Sequence, residues 1–156
     1  IDVSSRLQKL TLKSVENTVL RTYDVSTSKN GLGQIDGSFC TPKGMHVIRA
    51  KIGDGSPANT VFVGRRPTGE IFSESLKLQY PNRDWILSRI IWLSGCEVGI
   101  NRLGKVDTMR RYIYVHGSPD SVEMGRPGSM GCIRMRNKDI IELFKFVSVG
   151  TRVNIT

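Results

Sequence analysis

The sequence has no apolar run that approaches the roughly 18 consecutive residues needed to cross a membrane. We therefore expect no integral membrane segment. Its 156 residues include only three cysteines and two histidines, and no Cys-x-x-C pair. This supply suits neither a disulfide framework nor a Cys/His metal centre. We expect no metal and no other cofactor.

Acidic residues are fewer than basic ones. The chain has 14 Asp and Glu and 23 Lys and Arg, which gives a formal net charge of +9. A basic excess of this size attracts polyanions such as nucleic acid, phospholipid or an anionic cell-envelope polymer. Aromatic residues make up only 7% of the chain and do not alternate with basic ones, as a base-stacking surface requires. Nucleic acid is the weaker candidate, and we expect no such partner.

The length fits one compact domain with a buried core, and no repeat, linker or low-complexity tract divides the chain. Residues 1–156 are therefore expected to form a single domain. The chain opens at Ile1 without a basic-then-apolar leader. We expect a processed or trimmed form, so the missing export signal does not argue against an exported protein.

Short runs of β-branched and aromatic residues between turn residues predict strands through most of the chain. The turns are expected at residues 41–44 and 66–69, and a glycine-rich loop at 94–106. One amphipathic helix is predicted after these strands, with Asn137 as its cap, Gly150 as its end and an apolar face. The fold class is therefore mainly β with one C-terminal amphipathic helix. The predicted strands are 7–12, 17–26, 45–52, 61–63, 70–72, 85–93, 112–115 and 152–155, and the helix face comprises Ile140, Ile141, Phe144 and Val147.

The segment from residue 112 to residue 135 carries the chemistry. A predicted strand ends at His116, and the chain returns through a Pro-Gly-Ser-Met-Gly run to Cys132, sixteen positions later. A thiol is mostly protonated at neutral pH, so a cysteine that performs acyl transfer needs an imidazole to accept its proton. We predict that Cys132 is a nucleophile with His116 as its base, acting on an amide or peptide bond.

Two glycines complete this prediction. Gly131 allows close backbone approach to a substrate, and adjacent amide N–H groups can hold the oxyanion of a tetrahedral intermediate. No obvious Asp or Asn partner lies nearby in sequence to orient the imidazole, so a loop carbonyl near Gly117 is expected to do so.

These residues resemble a known family. His116-Gly117 followed by Ser129-x-Gly131-Cys132-Ile133-Arg134 is similar to the signature of L,D-transpeptidases of the YkuD type. The similarity extends to the opening hairpin with residues 23–27, the turn at 41–44, and the terminal helix and strand. The resemblance implies a YkuD-like β-sandwich-type catalytic domain that works on peptidoglycan, in the periplasm or cell envelope, and is a carbapenem target.

In the reaction that this resemblance implies, Cys132 attacks the L-centre carbonyl of diaminopimelate in a donor tetrapeptide stem and expels D-Ala. An amine of an acceptor stem then gives a 3→3 crosslink, while a lipoprotein lysine gives an anchored protein. By the same resemblance, His116 is base and then acid, the Gly117 carbonyl orients it, and the Gly131 and Cys132 amides bind the oxyanion. Substrate contacts are expected from Ser129, Met130 and Arg134. Met130 departs from the His that is common in the family, which affects substrate fit rather than the nucleophile.

Other interpretations remain open from the sequence. The same acyl-enzyme resolved by water would make the chain an L,D-carboxypeptidase or a crosslink hydrolase, and a catalytically silent wall-binding module would use only the positive charge. Cys40 and Cys96 are either a bridge or two unpaired thiols. His46 is interpreted as an ordinary strand residue.

Overall fold

Ten strands form one curled sheet in the computed structural model, which describes all 156 residues. Two α-helices accompany the sheet, and neither is long and apolar enough to span a membrane. The elements are β1 (Asp2–Ser4), β2 (Lys9–Lys13), β3 (Val19–Asp24), β4 (Gly44–Ile52), β5 (Thr60–Val63), β6 (Arg66–Ile71), α1 (Glu74–Gln79), β7 (Ile86–Gly95), a 3-10 turn (Gly104–Val106), β8 (Tyr114–Ser118), β9 (Ile133–Arg136), α2 (Asn137–Phe146) and β10 (Arg152–Ile155).

The centre of the sheet is β7, which pairs with β4, β5 and β8. The main strand order is β3-β2-β1-β10-β4-β7-β5-β6, and β8 continues from β7 to β9. The β8–β9 pair is parallel, with Val115 opposite Ile133 and His116 opposite Arg134. This register brings the two halves of the predicted His/Cys segment onto adjacent strands.

Eighteen buried apolar residues, most of them from the strands and α2, form the main core. Ile140, Leu143 and Phe144 of α2 contribute to it, because their spacing places them on one face of the helix. Strands β8 and β9 add Val115, Ile133 and Met135 to the same core. Side chains alternate between the two faces of a strand, so the residues of β8 on either side of Val115, including His116, point to the opposite face of the sheet.

The mainly β class with a C-terminal amphipathic helix is confirmed, but several local predictions were wrong. Asn137 does not cap α2: it is the first helical residue, and its buried amide donates to the Ser118 carbonyl at 2.9 Å and accepts from Ser88 Oγ at 2.6 Å. The helix ends at Phe146, before Gly150. His116 lies within β8 rather than at its end.

The predicted turn at residues 66–69 is part of β6, because the hairpin reverses one step earlier at Gly64 and Arg65, both of which have positive φ. The sequence patterns also missed the short elements β1, β9 and α1. All three cysteines are free, so the Cys40–Cys96 bridge does not form.

Candidate active site

The predicted base lies on β8, and the predicted nucleophile lies next to the neighbouring strand β9. Cys132 immediately precedes β9, and its sulfur accepts a hydrogen bond from the Tyr114 N–H of β8 at 3.3 Å. It also lies 3.5 Å from the Tyr112 carbonyl, to which the thiol can donate. His116 stands two residues beyond Tyr114 on the same face of β8, a rise of about 6.7 Å along the strand. The fold thus brings the predicted base and nucleophile into one neighbourhood.

The imidazole of His116 is held in one tautomer. Its Nδ1 lies 2.7 Å from the Gly117 carbonyl oxygen. Because a carbonyl can only accept a hydrogen bond, Nδ1 carries the proton in the neutral ring and Nε2 is left as the base. His116 is 1% exposed, and its Nε2 has no hydrogen-bond partner. An unpartnered basic nitrogen is the form that a general base requires.

Burial sets the protonation state of both groups. It lowers the pKa of His116 below its ordinary value of 6.5, against the opposing effects of the Gly117 carbonyl and the Asp84 carboxylate. Burial raises the pKa of the Cys132 thiol to about 12, although the Tyr114 N–H acts in the opposite direction. The resting pair at neutral pH is therefore a thiol and a neutral imidazole rather than an ion pair.

The loop before Cys132 is fixed by one serine hydroxyl. Ser129 is 1% exposed, and its Oγ donates to the Cys132 carbonyl at 2.5 Å while accepting the Gly131 N–H at 3.2 Å. Thr41 Oγ1 donates to the Gly131 carbonyl at 2.9 Å from the other side. The hydroxyl of Ser129 is therefore committed to the loop, whereas the family resemblance implied a substrate contact.

Gly131 is required by the backbone here. Its φ is +123°, and a Cβ would lie 3.3 Å from both the Cys40 carbonyl oxygen and Ile113 Cδ1. Its N–H is bonded to Ser129, whereas the N–H of Cys132 forms no hydrogen bond. Of the two amides predicted to hold an oxyanion, that of Cys132 is thus the one free to donate.

Arg134 connects this loop to a distant segment. Its guanidinium donates to the Gly128 carbonyl at 3.1 Å and to Asp84 Oδ1 at 3.0 Å. Its side chain is only 18% exposed. These contacts show that Arg134 holds the loop in place.

A cavity of about 340 Å³ opens at Cys132. Met130, which is half exposed, forms part of its wall together with Tyr112 and Tyr114. Asp84 and Arg111 also line it, and no sequence pattern placed either residue at this cavity. Arg111 donates to the carbonyls of Gly33, Gln34 and Cys40 and so holds the loop that forms the opposite side.

The remaining chemistry-bearing residues lie elsewhere. His46 is fully buried between the Gly44 carbonyl and Thr108 Oγ1, and burial lowers its pKa. Cys96 lines a separate cavity of about 590 Å³. No group of three or more His, Cys, Asp or Glu residues is arranged to hold a metal ion.

Comparison with known proteins gives consistent matches. The family model described as the L,D-transpeptidase catalytic domain, YkuD, matches residues 1–155. The Bacillus subtilis protein named as L,D-transpeptidase YkuD is 46% identical over 46 residues, which are 30% of this chain and 28% of that protein. The ErfK/SrfK protein of Salmonella typhimurium, also named as an L,D-transpeptidase, is 49% identical over 45 residues, 29% of this chain and 15% of that protein.

Solved structures match over the whole fold. An L,D-transpeptidase from Mycobacterium smegmatis has a TM-score of 0.56 at 20% identity, covering 99% of this chain and 57% of that one. L,D-transpeptidase 3 from Mycobacterium tuberculosis, solved with a faropenem-derived adduct, has a TM-score of 0.59 at 15% identity, covering 99% and 58%. The chain therefore spans little more than half the length of these structures, and at such identities the likeness shows the fold.

Proposed function

Since the chain belongs to the YkuD family of L,D-transpeptidase catalytic domains, we propose that it transfers a peptidoglycan acyl group through a thioester on Cys132. The observation that carries this proposal is the buried His116. Its Nδ1–H is committed to the Gly117 carbonyl, which leaves Nε2 basic and unpartnered on the same strand whose Tyr114 N–H contacts the Cys132 sulfur.

Acylation begins with the thiol, because the raised pKa of Cys132 leaves little thiolate at neutral pH. His116 Nε2 takes the thiol proton while the sulfur bonds to the L-centre carbonyl carbon of diaminopimelate in the donor tetrapeptide stem. The unpaired N–H of Cys132 donates to the resulting oxyanion. When the intermediate collapses, the C–N bond breaks, and the leaving D-Ala amine takes the proton from His116.

Deacylation decides the product. An amine of a second stem peptide gives a 3→3 crosslink, a lysine of a wall-anchored lipoprotein gives an attached protein, and water gives a trimmed stem. The first of these is the proposed reaction, and the cell envelope, including the periplasm, is its proposed location because the substrate lies there. The net charge of +9 favours an anionic envelope polymer as the surroundings.

A covalent probe tests the nucleophile. L,D-transpeptidase LdtMt1, which has the same fold, was solved in complex with imipenem, so we expect this carbapenem to add its mass to one cysteine of this chain. The adduct should persist in Cys96→Ser, a matched control because Cys96 is a free thiol in another cavity. It should vanish in Cys132→Ser.

Two results would contradict the proposal. An adduct that survives Cys132→Ser in folded protein would place the nucleophile elsewhere, and no adduct on the unmodified chain would favour a silent wall-binding module.

Mass spectrometry of muropeptide products then separates transfer from hydrolysis, since 3→3 dimers indicate transpeptidation and tripeptide alone indicates a hydrolase. His116→Gln should slow acylation by roughly 10²–10⁴-fold, the usual contribution of a general base.

A further inference from the structure

One carboxylate stands between two cavities at the candidate active site. Asp84 lines the 340 Å³ cavity that contains Cys132, and it also lines a second cavity of about 190 Å³. It is the only residue common to the two linings. The other charged residues of the second cavity are all cationic: Lys77, Arg83 and Arg134.

Asp84 keeps one oxygen free. Its Oδ1 accepts from Arg134 at 3.0 Å, whereas Oδ2 accepts no hydrogen bond and the side chain is 41% exposed. Its charge also reaches the reacting groups, because it raises the pKa of both His116 and Cys132. A free carboxylate oxygen at this position can receive a second cation.

The cations of the second cavity are not equally available. Arg83 is engaged by the carboxylate of Glu70 through two contacts, the shorter of 2.8 Å. Lys77 donates to Ser121 Oγ at 2.9 Å and lies 3.9 Å from Glu74, which leaves ammonium protons free. Lys77 can therefore hold an anionic group while Asp84 holds a cationic one.

We propose that Asp84 and Lys77 form the acceptor subsite and recognise an ammonium and a carboxylate carried on one centre. This inference rests on the proposed acyl-enzyme. The side-chain centre of diaminopimelate in a second stem peptide has both groups on one carbon, whereas the side-chain amine of a protein lysine has no adjacent carboxylate. The subsite therefore selects a stem peptide over a lipoprotein lysine and over water.

Transfer of the acyl group to the bound acceptor consumes the thioester and one amine. The bound ammonium releases one proton to solvent and becomes an amine. The amine nitrogen bonds to the thioester carbon and gives a proton to His116 Nε2, and the C–S bond then breaks. The departing sulfur takes that proton from His116, so one amide and one free thiol replace one thioester and one amine.

The experiment measures the ratio of amine transfer to hydrolysis from a preformed tetrapeptide acyl-enzyme. With a diaminopimelate tripeptide as acceptor, Asp84→Asn should lower this ratio roughly ten-fold, the size expected for one charge-assisted hydrogen bond. With methoxyamine, which is uncharged at neutral pH, the ratio should not change. Lys77→Gln should lower the ratio for the tripeptide but not for a tripeptide whose side-chain carboxylate is an amide.

Two further variants guard against a merely structural effect. Asp84→Glu should restore the ratio, because it retains the charge. Asp36→Asn removes the other carboxylate of the Cys132 cavity, and a fall there instead of in Asp84→Asn would overturn the assignment. An equal fall with methoxyamine, or no fall with the tripeptide, would also overturn it. Absence of any acyl-enzyme on the unmodified chain would instead refute the proposed function.

Discussion

Replacing Ser129 with alanine should lower the free energy of unfolding by about 2 kcal/mol. The hydroxyl is buried and forms two hydrogen bonds, to the Cys132 carbonyl at 2.5 Å and from the Gly131 N–H at 3.2 Å. Each contributes about 0.5–1.5 kcal/mol net, and their loss leaves two backbone groups without partners. In a chain of this length, about 2 kcal/mol corresponds to a fall in melting temperature of roughly 4–8 °C.

Ser26→Ala provides the matched control for this prediction. Ser26 is also fully buried and lies against Gly128 in the same region, but its Oγ has no hydrogen-bond partner. Its removal should leave stability within about 0.5 kcal/mol of the unmodified chain, or raise it. Urea unfolding and carbapenem acylation rates measure both variants. Equal stabilities for Ser129→Ala and Ser26→Ala would refute the idea that the hydroxyl fixes the loop.

Two further predictions concern the histidines and Arg111. Burial lowers the pKa of His46 and of His116 in the folded state, so the unfolded chain binds protons first as pH falls through about 6.5. The free energy of unfolding should therefore be highest above about pH 7 and fall towards pH 5, by at most about 1.4 kcal/mol per pH unit for each histidine. Urea unfolding at a series of pH values measures this dependence. If His46→Gln left the pH dependence unchanged, the role assigned to buried His46 would be contradicted. Arg111→Lys should raise the KM for donor stem more than it changes kcat, because one ammonium cannot hold the carbonyls of Gly33, Gln34 and Cys40 together; an unchanged KM would show that this loop does not shape the cavity.

The strands were largely predictable because alternating β-branched residues have a clear signal. The last strand, residues 152–155, was predicted with the observed bounds. Helix α1 was missed because it has only six residues and buries none of them, so it leaves no apolar period in the sequence. Strand β9 was missed because its four residues directly follow the Pro-Gly-Ser-Met-Gly run and Cys132, and lead directly into α2.

The roles around the candidate nucleophile divided in the same way. Gly131 and Ser129 could be identified as candidate site residues from their positions in the sequence. Which backbone N–H stays unpaired could not be predicted, because it depends on Ser129 Oγ accepting the Gly131 N–H and leaving that of Cys132 free. The positions of Asp84 and Arg111 in the cavity wall could not be predicted at all. They are 48 and 21 positions from Cys132 in the chain, and no local pattern connects them to it.

The sequence by itself determined which groups are available for chemistry, because a thiol, an imidazole and a glycine before the thiol are properties of residue type and local spacing. It also determined the mainly β class, through the alternation of its side chains. Only the tertiary structure decided the state of those groups. Burial of His116 and Cys132, the tautomer imposed by the Gly117 carbonyl and the charge of Asp84 all arise where distant segments exclude water together, and electrostatic effects are set by that exclusion rather than by chain order.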